Sequence, residues 1–76
     1  MKVPPKNAHK QLGEVIRAKR KALGYSQESF APVCGIHRTY MGAIERGERN
    51  VALENLIRIA AALDLKLSDL LAEAGL

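Results

Sequence analysis

The 76-residue sequence predicts a five-helix, all-α domain, and three observations lead there. Apolar residues recur at three- and four-residue spacing in separate short stretches, the period of a half-buried helix. No stretch alternates apolar and polar residues at period two, so no strand is expected. Gly24, Gly35 and Gly47 each follow a periodic stretch, where a left-handed residue ends a helix at low cost. One domain of this size has room for a single small core, and 47% apolar residues suffice to build it.

The elements follow in order. Residues 1–7 are polar, carry Pro4 and Pro5, and are expected to form a flexible arm ahead of a domain over residues 8–76. Asn7 is the expected N-cap of a first helix from Ala8 to Leu23, with Leu12, Val15, Ile16, Arg20 and Leu23 at helical spacing. Lys19, Arg20 and Lys21 suit its C-terminal dipole. Ser26 is expected to cap a second helix, Gln27 to Cys34, whose apolar face is Phe30, Val33 and Cys34. Pro32 removes a hydrogen bond to the Glu28 carbonyl, so this helix is expected to be kinked or locally irregular. A third helix runs from about His37 to Arg46, and a fourth from Leu53 to Leu63. Ser68 is expected to cap a last helix ending at Glu73.

Charge and composition limit the function. Residues 1–50 carry a net +6 and residues 51–76 a net −2. A basic half points to a polyanionic partner, nucleic acid or an anionic membrane, with ordinary solvated charge as the competing reading. No run of eighteen apolar residues is present to span a membrane. The first residues lack the apolar region of a signal peptide. Cys34 is the single cysteine, so no intrachain disulfide forms, and a cytoplasmic setting is expected. Cys34 itself reads as core. His9 and His37 lack the further ligands a metal site needs. No nucleophile–base set and no phosphate-cradling loop is present, so neither an enzyme nor a cofactor is expected.

Gln27 to Gly47 is the informative segment. Two short helices joined by a tight glycine turn make a helix-turn-helix. Ala31 supplies the small residue where the helices cross, and Gly35 tolerates the turn's positive φ. Phe30, Cys34, Ile36, Met41 and Ile44 sit at the offsets that fill the angle between the helices. With these residues in view, the segment resembles the Xre family of lambda-type repressors and Cro proteins. The likeness covers about residues 12–71. Ser26-Gln27-Glu28 opens the second helix and Ile44-Glu45-Arg46-Gly47 closes the third as in that family. Arg38-Thr39-Tyr40 together with Arg49-Asn50 is also similar to controller proteins of restriction–modification systems. Pro32 departs from the family pattern.

The resemblance implies a lambda-repressor-like fold and a transcriptional regulator that binds double-stranded DNA. In such motifs the second helix enters the major groove N-terminus first. His37, Arg38, Thr39 and Ala43 are therefore the expected base-contacting residues. Arg38 suits a bidentate pair with guanine, and Gly42 lets the helix approach closely. His37 reads first as a cap, with phosphate or base contact as alternatives. Gln27, Tyr40, Arg46, Arg49 and Asn50 are expected to hold phosphates. For Tyr40 a half-buried ring with its hydroxyl in water competes. The resemblance further implies a hydrogen bond from Gln27 toward Arg38 and an ion pair between Arg20 and Glu45. A homodimer on a palindromic operator is expected, its interface from Leu65, Leu67, Leu71 and Leu76, with no membrane partner and no small-molecule effector. Repression or control of its own promoter would follow from site occupancy. An antitoxin-type module that binds a partner protein and uses DNA only for autoregulation is the alternative.

Overall fold

A computed structural model describes residues 7–76. The expected arm, Asn7 apart, lies outside the described residues. Five helices follow: α1 Ala8–Ala22, α2 Gln27–Cys34, α3 Arg38–Glu45, α4 Leu53–Ala62 and α5 Leu67–Glu73, with no strand among the described residues. The third helix packs on α1 and α2, the fourth packs on α2, and α5 closes the bundle against α1 and α4.

Helix ends differ from expectation in several places: α3 is one residue shorter at each end, with His37 and Arg46 as its caps, and α4 ends at Ala62 with Leu63 as its C-cap. At Asn7 the backbone is not extended and the side chain makes no cap bond. Helix α1 ends one residue early, and Leu23 at its C-cap is 53% exposed. Ser26 does cap α2, and Ser29 completes the reciprocal pair: each Ser side chain accepts from the other's backbone N–H. For α5 the extended residue is Lys66, so the helix starts at Leu67 and Ser68 lies inside its first turn. Backbone dihedrals, not the presence of a serine, decide a cap.

Pro32 does not break α2, which is helical from Gln27 to Cys34. Both Pro32 and Glu28 are exposed, so the carbonyl deprived of its partner lies on the solvent side. Val33 does not join the core and is 54% exposed. At 3.6 residues per turn it falls about 100° from the centre of the face made by Phe30, Ala31 and Cys34. The C-cap Gly35 has φ 71°, the left-handed turn that lets α3 start only three residues after α2 ends.

The core is one cluster. Ile16, Phe30, Met41, Ile44, Ile59 and Leu70 are fully buried, joined by Leu12, Ala31, Cys34, Ile36, Ala60 and Leu63. Gly13 brings α1 and α3 into direct backbone contact. A Cβ there would lie 2.5 Å from the Ile44 carbonyl oxygen and 2.6 Å from that of Glu45. No larger residue fits without pushing the third helix away from the first.

Cys34 is buried among these side chains, and burial pushes its thiol up to about 11. Neutral thiols are poor nucleophiles, so a disulfide reagent at neutral pH is expected to label Cys34 only as the protein opens. Rapid labelling of the native protein would contradict this placement. Above pH 9 the unfolded chain ionises first, so stability is expected to fall as pH rises from about 9 to 11.

Candidate nucleic-acid interface

The N-terminal half of α3 lies at the surface. His37 is its N-cap, and its Nδ1 accepts from the Thr39 N–H at 3.1 Å. Arg38 and Thr39 are exposed in the first turn, and Ala43 is half-buried one turn on. Met41, Ile44 and Glu45 face inward. The helix therefore shows one face to the core and one polar edge to solvent. On one side of that edge is a cleft of about 250 Å³ against α2, lined by Gln27, Glu28 and Arg38. On the other is a cleft of about 370 Å³ toward the following loop, lined by Tyr40, Glu48 and Arg49. Thr39 and Arg46 line both.

Beneath this edge lies a buried ion pair. Arg20 Nε donates to Glu45 Oε2 at 2.8 Å and its Nη2 to Oε1 at 2.9 Å. The two side chains are only 7% and 2% exposed. The remaining guanidinium nitrogen donates to the Tyr25 carbonyl at 2.8 Å. A planar fork held at three points fixes the angle of α3 against α1.

The polar groups around α3 are arranged differently from expectation in three places. Gln27 does not bond to Arg38; its Nε2 donates to Glu45 Oε1 at 3.1 Å. Arg38 instead reaches Glu28, at 2.7 Å between exposed side chains. Both reflect the angle between α2 and α3, which puts Gln27 above the buried carboxylate and Glu28 in front of Arg38. Tyr40 is half-buried and donates its single hydroxyl proton to the Asn50 carbonyl at 3.2 Å. That bond ties Tyr40 to the loop after α3 in the free chain.

Arg46 forms the C-cap of α3, with Nε 3.0 Å from Glu48 Oε2 in an exposed pair. Arg49 and Asn50 are exposed, and Arg49 has no ion-pair partner among the described residues. Glu28 was not singled out from the sequence. A glutamate in a first turn reads as a dipole partner, and only the crossing angle reveals Arg38 opposite it.

The leucines expected at a dimer interface divide. Leu65, Leu67 and Leu71 are half-buried against the chain's own core, and only Leu76 is exposed, at 47%. The larger exposed apolar surface is on α4, where Leu53 and Ile57 are 65% and 51% exposed one turn apart. Among the described residues no cluster of His, Cys, Asp and Glu fits a metal, and no helix is long and apolar enough to cross a membrane.

A short α2, a glycine turn and a solvent-facing α3 clamped to α1 define a lambda-repressor-like helix-turn-helix domain, the architecture of DNA-binding transcriptional regulators rather than of enzymes. Residues 16–70 match the helix-turn-helix family profile, and the chain belongs to that family. Control protein C.SmaI of Serratia marcescens is 46% identical over 65 residues, 86% of this chain and 77% of its own. Among solved structures, the restriction–modification controller protein C.AhdI from Aeromonas hydrophila superposes with a TM-score of 0.77. It is 43% identical, over 80% of this chain and 92% of that one. SinR, the master regulator for biofilm formation, solved in complex with DNA, superposes at TM-score 0.74. It is 33% identical, over 79% of this chain and 97% of that one.

Proposed function

We propose that this chain is a sequence-specific, double-stranded DNA-binding regulator. It acts in the cytoplasm as a homodimer on a two-fold-symmetric operator and controls its own promoter. The observation that carries this reading is the third helix. Its first turn is exposed, its inner face is buried, and the Arg20–Glu45 pair holds it at a set angle. In this reading Arg38 and Thr39 read base edges, with His37 and Ala43 flanking them. Arg46, Arg49 and Asn50 hold phosphates, as does Gln27 through its second amide hydrogen at the N-terminus of α2. The exposed Arg38–Glu28 pair is no obstacle, since such pairs are worth about 0–1 kcal/mol.

The relatives support the regulatory role. The matched proteins of Serratia and Aeromonas are controllers, and SinR is solved on DNA. A monomer of this size reads few bases, and a dimer reads two half-sites about one helical turn apart. Leu53 and Ile57, together with Leu76, are the exposed apolar surface that a second copy would cover.

Selection of bound duplexes from a random pool at fixed salt tests the reading. A palindrome with half-sites spaced by about one turn is expected. Failure to enrich any sequence overturns it. Sedimentation tests the dimer: the wild type is expected to dimerise and Ile57→Lys to remain monomeric. Equal sedimentation of the two proteins would remove α4 from the interface.

A further inference from the structure

A carboxylate stands on the face that closes on phosphates in the reading above. Glu28 is the only acidic residue lining the cleft between α2 and α3, and its Oε1 lies 2.7 Å from Arg38 Nη1. The two side chains are 75% and 64% exposed. A pair this open adds little to the stability of a fold. The dipole of α2 accounts for an acid in its first turn, but not for the arginine opposite it.

The form of the pair is informative. Buried Arg20 grips Glu45 with two nitrogens. Arg38 gives Glu28 only Nη1, and its Nε and Nη2 have no partner among the described residues. A guanidinium carries five donors in a rigid fork. The edge made by Nε and Nη2 is therefore open, and such an edge suits O6 and N7 of guanine. Glu28 need not be displaced for that contact. It matches the charge of Arg38 and restrains the rotation of a long side chain at the same time. An arginine without such a partner is drawn to any phosphate, and phosphates carry no sequence information.

We propose that Glu28 is a positioning residue for base recognition: bound to Arg38 Nη1, it keeps the guanidinium from the phosphates and presents its open edge to guanine. The inference rests on the base-reading role given to Arg38 above, and it adds an acidic residue that sets specificity without touching a base.

The test is a double-mutant cycle on the full chain, with the selected duplex and a scrambled one titrated across salt. Glu28→Gln is expected to melt close to the wild type, since both partners are exposed. Its preference for the selected duplex should fall about threefold per protomer, the scale of an exposed pair, or about tenfold in a dimer. Its salt slope on the scrambled duplex should steepen by about 0.9 per protomer as Arg38 turns to a phosphate. In an Arg38→Ala background, Glu28→Gln should change the preference less than about twofold. An unchanged preference in Glu28→Gln overturns the proposal, whatever happens to the melting temperature. So does an equal gain on both duplexes that persists in the Arg38→Ala background, the mark of a carboxylate that only repels phosphates. Where Glu28→Gln melts early, Glu28→Asp decides. It keeps the charge at the start of α2 but draws the carboxylate back from Arg38, so the same fall in preference is expected, and none overturns the assignment. A wild type that prefers no duplex overturns the sequence-specific reading, and an Arg38→Ala protein with full preference overturns the role of Arg38; the proposal falls with either. Failure of Glu28 alone is distinct: Arg38→Ala then loses preference and Glu28→Gln does not.

Discussion

Glu45→Gln is expected to lower the unfolding free energy by about 3–5 kcal/mol, the range found when one partner of a buried ion pair is removed. The carboxylate now accepts two bonds from Arg20 and one from Gln27. A carboxamide presents one acceptor and one donor, so its NH2 group faces donors. Arg20 cannot shed its charge to relieve the conflict, and at 6% exposure it has little access to water. A domain of this length holds roughly 4–11 kcal/mol in total, so the loss is a large share. Each kcal/mol corresponds to about 4–8 °C in Tm for a domain of this size. Denaturant unfolding with a well-defined slope is the measurement. A change below about 1 kcal/mol would mean the pair behaves as a surface pair. Replacing both partners, Arg20→Met with Glu45→Leu, is expected to recover much of the loss, because no charge is then left buried alone. DNA affinity should not recover with it. The hydrophobic pair restores packing, but it neither forks α3 to α1 nor holds the Gln27 amide.

That contrast marks what was legible in the sequence. Periodicity located all five helices, because a half-buried helix repeats its apolar residues whatever its neighbours are. The filling of the helix-turn-helix angle was also legible: Phe30, Cys34, Ile36, Met41 and Ile44 are all buried. These residues answer to local geometry. The polar partnerships did not follow from spacing. Gln27 lies eighteen residues from Glu45, and Glu28 lies ten from Arg38. A rotation of α2 by one residue, about 100°, would exchange which of Gln27 and Glu28 faces the carboxylate. Val33 failed for the same reason, since the sequence shows an apolar residue at the edge of a face but not where the face ends. Leu65, Leu67 and Leu71 show the same limit: the sequence marks them as apolar, but only the packing of α5 on α1 and α4 shows that they lean on the chain's own core while staying partly exposed.

Affinity for the selected operator is expected to fall about 150-fold between 50 and 200 mM salt. The argument starts from charge. Arg46 and Arg49 are the exposed cations next to the C-terminus of α3, and a dimer brings two copies of each. About four phosphates are then neutralised, and log affinity falls with log salt at a slope of about −0.9 per phosphate, or −3.6. A monomer would give about half that slope, so the same titration reports the assembly state. Arg49 has the cleaner role, because Arg46 must first exchange Glu48 for phosphate. Arg49→Ala is expected to halve the dimer's slope and to weaken every duplex alike. Arg38→Ala is expected to leave the slope nearly unchanged, since its charge is already matched by Glu28 in the free protein. It should instead relax preference at one base pair by about 1–3 kcal/mol. An Arg38→Ala protein that loses slope but keeps its preferred sequence would exchange the two roles: Arg38 would be the phosphate clamp, and base reading would pass to Thr39 and its neighbours.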